Sequence, residues 1–204
     1  MGPRNLKLVR GAIHLLALIP LLRLLHTAFF GDLGPDPAHY VVRQLGFWGI
    51  VLLWTSLAMT PLKVLTGQPY WIGFRRALGL WSFAYICLHL TAFLLFWCGL
   101  SVDVITDEIG KRPYILVGLS AWLLMVPLAL TSTRNARRRL GQRWNRLHRL
   151  VYLVAMLALL HLIWIAKLDY SQSIIFSIIL IFLFFIRIRA RQSKPTSIEC
   201  ASSA

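Results

Sequence analysis

Six apolar stretches, each close to the length that a helix needs to cross a lipid bilayer, follow one another along this chain. About 20 consecutive apolar residues span the hydrocarbon core of a membrane, and hydrophobic residues make up 58% of the 204 positions. We predict an all-α membrane protein, a six-helix transmembrane bundle within residues 1–190, followed by a short polar tail at 191–204. The predicted spans are 11–30, 44–62, 77–98, 114–132, 144–166 and 168–188.

The basic residues predict the orientation of the bundle. A net charge of +15 would suggest nucleic acid as a partner in a soluble protein, but here lysine and arginine separate apolar spans, so we exclude it. The positive-inside rule places both termini in the cytoplasm, because the opposite side holds only Arg43, Lys111, Arg112 and Lys167. No small-residue cleavage site precedes Gly31, so we expect an uncleaved first helix rather than a signal peptide.

Four histidines, His14, His89, His148 and His161, lie in predicted spans or at their ends. An ionisable residue inside a membrane is costly and usually faces the bundle interior with a partner. A single histidine is explained equally well by a hydrogen bond between helices. His89 and His161, however, fall at similar depth on the third and fifth spans. Two imidazoles at one depth on neighbouring helices could hold a heme iron from both sides.

The spacing of His148 and His161 raises a difficulty for a single shared helix face. Thirteen residues at 100° each leave the two side chains about 220° apart around an ideal helix, with His148 about 20 Å nearer the cytoplasm. Either a π-type bulge corrects the phase, or the two imidazoles serve different sites. The sequence leaves both explanations open.

Other chemistries lack their residues. The chain contains no HExxH zinc-protease motif and no GxSxG nucleophile elbow. The interiors of its predicted spans carry no carboxylate for a proton relay, since Asp169 stands at the very start of the sixth span. Its cysteines, Cys87, Cys98 and Cys200, form no CxxC motif. A heme-binding bundle remains, with a small non-redox transporter as an alternative of a different class.

Two segments carry a resemblance to a known family. "RRALGLWSFAYICLHL" (75–90) and "ALTSTRNARRRLGQRWNRLHRLVYLVAMLALLHLIW" (129–164), together with the six-span layout, resemble the MsrQ (YedZ) family. These are heme-binding membrane subunits of bacterial MsrPQ methionine sulfoxide reductase systems. They belong to the ferric-reductase-like transmembrane superfamily, which includes the NADPH oxidases, and the resemblance covers about residues 8–190.

The resemblance implies an electron-transfer subunit in the bacterial inner membrane, with no catalytic residue of its own. Electrons would pass from the quinone pool, or from a soluble flavin reductase, to a periplasmic molybdopterin-containing reductase that repairs oxidised methionines. The implied cofactor is heme b, in one or two copies, and FMN is a further possible cofactor. The family's heme histidines fall on His89, His148 and His161.

The chain departs from the wider superfamily near His148. The oxidases place a second histidine on the third helix, but the corresponding position here is Arg75, with Arg76 beside it. A second heme at His148 would therefore need another ligand, for which His14 is a candidate, or the site could hold a flavin or a quinone. Arg75 and Arg76 are either binders of heme propionate or flavin phosphate or ordinary positive-inside anchors.

A transmembrane metal reductase that uses the same heme without a dedicated partner is the closest alternative function. Because the sequence ends soon after its last predicted span, we expect no flavin and NADPH domain of the kind that the oxidases carry. Electrons would therefore have to come from a lipid carrier or a separate protein.

Overall fold

The structure, a computed structural model, describes residues 3–166 and 169–192, and every regular element within these two ranges is helical. The predicted polar tail beyond Gln192, with Cys200, lies outside the described residues, as does Lys167. The helices are α1 (Pro3–Phe30), α2 (Pro37–Thr66), α3 (Ile72–Ala92), α4 (Val102–Lys111), α5 (Tyr114–Leu130), α6 (Arg134–Leu140), α7 (Gln142–Leu147), α8 (Leu150–Ile165) and α9 (Ser171–Gln192).

The membrane-spanning helices agree with the predicted all-α membrane fold. Among the described residues, five segments are long and apolar enough to cross a bilayer, and a bent pair, α4 with α5, brings the number to six if the pair counts as one span. The bend between α4 and α5 is 109°, so α5 alone would provide most of this sixth span. Its 17 residues cover about 26 Å at 1.5 Å per residue, which is at the short end for a span. The cytoplasmic location of the termini stays a prediction.

Two helix pairs form the centre of the bundle. Helix α2 packs along α3, and α5 packs along α8. Helix α9 lies against α2 and α8, and helix α1 lies against α2 and α3. Leu57 of α2 and Val154 of α8 are fully buried in the apolar core between them. Polar side chains add bonds between helices: Ser82 donates to the carbonyl of Gly49 at 2.7 Å, and Trp54 donates to the carbonyl of Phe176 at 3.0 Å.

Tyr85 attaches α1 to the centre of the bundle. Its hydroxyl donates to the carbonyl of Ala17 at 2.7 Å and accepts from the backbone N–H of Leu21 at 3.0 Å. The phenol thus stands between two backbone groups that would pair with each other in a regular helix. Pro20 lies beside them inside α1. The first span is therefore fixed to α3 at mid-membrane depth.

Two irregularities interrupt the helices that carry the candidate histidines. A π-helical turn, Phe93–Trp97, extends α3 just beyond His89. The backbone leaves the helical pattern at His148 and Arg149, between α7 and α8. Helix α8 is then regular from Leu150 to Ile165. Within residues 148–161 no π-type bulge occurs, and the turn at His148 and Arg149 separates His148 from the regular helix that carries His161.

Candidate functional site

His89, near the end of α3, is held by the neighbouring helix α2. Its Nδ1 lies 2.8 Å from the carbonyl oxygen of Val42. Because a carbonyl oxygen only accepts, Nδ1 carries the proton and donates, and Nε2 keeps its lone pair. The ring is partly buried. His89 is therefore in the tautomer that a metal ligand through Nε2 requires.

His161, on α8, repeats this arrangement against α5. Its Nδ1 lies 2.7 Å from the carbonyl oxygen of Tyr114, the first residue of α5. The same argument assigns the proton to Nδ1 and the lone pair to Nε2. Tyr114 also places its ring 6.0 Å from the imidazole, measured between ring centroids. Helix α5 thus orients His161 as α2 orients His89.

The two imidazoles approach each other across the gap between the helix pairs. Their ring centroids are 6.5 Å apart and their planes are nearly perpendicular, at 87°. A metal that bonds two imidazole nitrogens from opposite sides, each at about 2 Å, separates the ring centroids by roughly 6 Å. The arrangement could therefore hold one iron axially. No group of three or more His, Cys, Asp or Glu side chains suited to a metal is found among the described residues, so a complete protein cage is not formed there.

A glycine backs each of the two imidazoles. A Cβ added at Gly46 of α2 would lie 3.0 Å from Nδ1 of His89, and one added at Gly118 of α5 would lie 2.7 Å from Cε1 of His161. Glycine is unfavourable in a helix interior. At these two positions, therefore, only the absence of a side chain allows an imidazole to approach so closely.

His148 has different surroundings. Its Nε2 lies 3.1 Å from the hydroxyl oxygen of Thr131, and that hydroxyl donates its own proton to the carbonyl of Pro127 at 2.6 Å. The hydroxyl therefore accepts from His148, which places the proton on Nε2. The ring also stacks on Trp144, with centroids 3.9 Å apart and planes 25° apart. In this geometry Nε2 of His148 is occupied by a hydrogen bond.

The predicted arginines lie at the start of α3. Arg75 is partly buried and close enough to His148 to interact electrostatically with it, whereas Arg76 is exposed. The structure thus brings Arg75 and His148 into one region. A further cation, Arg137, lies over the ring of Trp144 at 5.2 Å. Arg75, Thr131, Arg137, Trp144 and His148 form a cluster that combines positive charge with an aromatic face. We call it the cytoplasmic-side cluster after the predicted orientation of the bundle.

His14 is bonded elsewhere. Its Nδ1 accepts a hydrogen bond of 2.8 Å from the indole N–H of Trp81, so its proton is on Nε2. The side chain is exposed on the outer side of α1. His14 is thus satisfied by Trp81, and this bond does not present Nε2 as a ligand.

Sequence reasoning missed the groups that orient the two facing imidazoles. The carbonyl acceptors of Val42 and Tyr114 belong to the backbone and leave no trace in residue type. The glycines did leave a trace, because Gly46 and Gly118 interrupt otherwise apolar helical stretches. An isolated glycine in such a pattern indicates a close packing contact.

Comparison with known proteins gives the family. The model of the ferric reductase like transmembrane component matches residues 45–159. A relative from Ralstonia nicotianae, the protein-methionine-sulfoxide reductase heme-binding subunit MsrQ, is 43% identical over 191 residues, covering 92% of this chain and 88% of that protein. No solved structure matches. The chain therefore belongs to the ferric-reductase-like transmembrane family, and within it to the MsrQ family.

Proposed function

We propose that this protein is a b-type cytochrome subunit that passes electrons across the bacterial inner membrane to a periplasmic methionine sulfoxide reductase. The facing pair of His89 and His161 carries the proposal, because both rings keep Nε2 for a metal at a centroid separation of 6.5 Å. The Ralstonia relative is named a heme-binding subunit. The chain contains no CxxCH attachment motif, which favours a non-covalent, b-type heme.

The residues around the site would hold and insulate the cofactor. A bound heme would supply one-electron transfer. His89 and His161 would hold it through Nε2, and the carbonyls of Val42 and Tyr114 accept hydrogen bonds from their Nδ1 atoms. Such second-shell bonds fix the ring orientation and raise the basicity of the ligand. The apolar helices around the pair keep out water, so the chain controls the redox potential through ligand identity and burial.

The cytoplasmic-side cluster is proposed as a second redox site for a planar organic carrier, FMN or a quinone. A second heme is disfavoured there because Nε2 of His148 donates to Thr131 and His14 is bonded to Trp81. The aromatic face of Trp144 and the charges of Arg75 and Arg137 suit a planar, anionic group. This assignment would give the chain one heme.

An apolar groove of 340 Å³ between α1, α2 and α3 is the proposed entry for quinol from the bilayer. It opens on the half of the bundle nearer the start of α1 and α3, and Trp48, Trp71 and Phe74 are among its lining residues. Apolar and aromatic walls suit an isoprenoid carrier. A soluble flavin reductase is the alternative donor, and it would approach from the cytoplasm.

The partner is proposed to be a periplasmic molybdopterin-containing reductase, which would carry out the sulfoxide chemistry. The amphipathic helix α4 lies on that predicted side. Two of its carboxylates are already paired within the chain, Asp107 with Lys111 at 2.6 Å and Glu108 with Arg112 at 3.2 Å. Asp103 and the exposed face of α4 would therefore contribute more to docking than the two paired carboxylates.

The proposal is tested by the heme content and difference spectrum of the purified protein. The wild type should bind one heme per chain, reducible by quinol, and should pass electrons to the purified partner in proteoliposomes. His89→Ala and His161→Ala should each remove the reduced-minus-oxidised signal, because each loses one axial ligand. His26→Ala is a matched control, since His26 is an exposed histidine near the end of α1 whose ring contact is Phe30.

Three outcomes would overturn the proposal. A colourless preparation from heme-replete cells would favour a non-redox transporter. Unchanged heme in both ligand variants would place the cofactor elsewhere. Reduction of ferric chelates by the lone protein, without electron transfer to the partner, would favour a metal reductase.

A further inference from the structure

We propose that Gly46 and Gly118 are positioning residues that set the angle between the two imidazole planes, and through it the electronic state of the iron. The inference rests on the proposed function, in that His89 and His161 are taken as the axial ligands. Neither glycine touches the metal. Each acts through the histidine that lies against it.

The two glycines occupy equivalent positions in a local arrangement that occurs once on α2 and once on α5. On α2, the carbonyl of Val42 accepts from Nδ1 of His89, and the residue four positions later is Gly46. On α5, the carbonyl of Tyr114 accepts from Nδ1 of His161, and the residue four positions later is Gly118. Positions i and i+4 lie on the same face of a helix. Each imidazole therefore lies over one turn of its backing helix, and its Nδ1–Cε1 edge meets both the carbonyl at the start of that turn and the bare Cα of the glycine at its end.

The two contacts have separate effects. The hydrogen bond to the carbonyl fixes the position of Nδ1, but it still lets the ring tilt about that point. The close contact with the glycine, which reaches Cε1 as well as Nδ1 at both positions, limits this tilt. The two backing helices approach from different sides, and the resulting planes are 87° apart. Because each ring is held by its own backing helix, α2 and α5 together would determine the angle between the two planes.

A general role in helix packing does not account for these glycines. The three nearest atoms to an added Cβ are all imidazole atoms, of His89 at Gly46 and of His161 at Gly118. At Gly49, three residues along α2, the nearest atom is Cδ1 of Ile86 at 2.4 Å. At Gly79 of α3 it is the hydroxyl of Ser56 at 3.5 Å, an ordinary contact. Gly49, which packs tightly against an apolar side chain, and Gly79, which has only an ordinary contact, are therefore two matched controls.

The angle between axial imidazole planes has a spectroscopic signature. In low-spin ferric heme, parallel planes split the iron d orbitals and give a rhombic EPR spectrum. Perpendicular planes leave two of these orbitals nearly degenerate and give a highly anisotropic spectrum dominated by one high-g feature. We expect the wild-type protein to show the second type.

The test compares Gly118→Ala and Gly46→Ala with the wild type by EPR, redox titration and heme titration. The added methyl at 118 would lie 2.7 Å from the ring, so the imidazole must turn, and the high-g feature should give way to a more rhombic signal. Heme affinity should fall about tenfold or more, as for other second-shell changes. Gly46→Ala, at 3.0 Å, should shift the same feature less, and both midpoint potentials should move.

Two further variants separate positioning from folding. Gly79→Ala should leave the spectrum unchanged. Gly49→Ala should lower thermal stability through Ile86 while leaving the high-g feature of the bound heme in place. If Gly118→Ala and Gly46→Ala bind heme with the wild-type EPR spectrum, or if the wild type is rhombic, the inference is overturned. Absence of low-spin heme from the wild type would instead overturn the proposed function.

Discussion

Histidine has different hydrogen-bond partners in the facing pair of His89 and His161 and in the cytoplasmic-side cluster. At His89 and His161, a backbone carbonyl accepts a hydrogen bond from Nδ1, and Nε2 keeps its lone pair. At His148, the hydroxyl of Thr131 accepts a hydrogen bond from Nε2. At His14, Nδ1 accepts a hydrogen bond from the indole N–H of Trp81. The comparison teaches that the partner of the second ring nitrogen, more than the histidine itself, distinguishes a candidate metal ligand from a structural hydrogen bonder.

The largest expected difference between the two regions is in heme content. His161→Ala should lose essentially all bound heme, because one axial ligand is removed from a site that has two. His148→Ala should keep the heme and its difference spectrum, since the account gives His148 no bond to iron. Heme-to-protein ratios of the two purified variants measure this contrast. Equal losses in both variants would mean that His148 is also a ligand.

The next largest effect is expected at a buried arginine that joins three helices. Arg187 of α9 is buried, donates to Tyr152 of α8 at 2.5 Å and also donates to the carbonyl of Leu57 in α2. Arg187→Leu should lower the free energy of unfolding by about 3 kcal/mol, because buried acceptors lose a charged donor.

The exposed Arg189 is the matched control for Arg187, and Arg189→Leu should have little effect. Thermal unfolding in detergent, followed with and without heme, compares the two variants. The heme spectrum of folded Arg187→Leu should be unchanged. A shifted heme spectrum at wild-type stability would instead make Arg187 part of the heme site.

A smaller effect is expected at the hydrogen bond between Thr131 and His148, which should contribute to stability but not to heme binding. Thr131→Val removes the acceptor for Nε2 of His148 and should lower stability by about 1 kcal/mol. The heme-to-protein ratio should stay at one. A second heme in this variant, detected by pyridine hemochrome assay, would show that Thr131 is what keeps His148 from binding iron, and the cytoplasmic-side cluster would then be a latent heme site.

The smallest effect is expected at His14. Trp81→Phe removes the hydrogen bond to an exposed imidazole, so the cost should be about 0.5 kcal/mol or less. Heme content and midpoint potential should match the wild type. A clear loss of heme would connect His14 to the cofactor and reopen its assignment as a ligand.

The sequence predicted the fold well because apolar length is a strong signal. The predicted spans agree with α1, α2, α3, α5, α8 and α9 to within a few residues at many of the ends, although α1, α2 and α9 extend further. Depth counted along the helices also predicted that His89 and His161 meet. Both inferences depend only on the rise per residue of a helix.

The rest of the site depends on contacts between helices, which a single sequence does not encode locally. The break at His148 and the π-helical turn after α3 lie in stretches as apolar or as helix-prone as their neighbours. The carbonyls of Val42 and Tyr114 become ligand partners only because α2 and α5 lie behind the histidines. Gly46 and Gly118 were visible in the sequence, but their meaning required the neighbouring imidazoles.

The most direct measurement is near-infrared magnetic circular dichroism of the oxidised, purified protein, which identifies the two axial ligands of a low-spin ferric heme. The account predicts one low-spin heme with two nitrogen ligands, which is lost in both His89→Ala and His161→Ala. A high-spin wild type, or bis-imidazole ligation that persists in both variants, would contradict it.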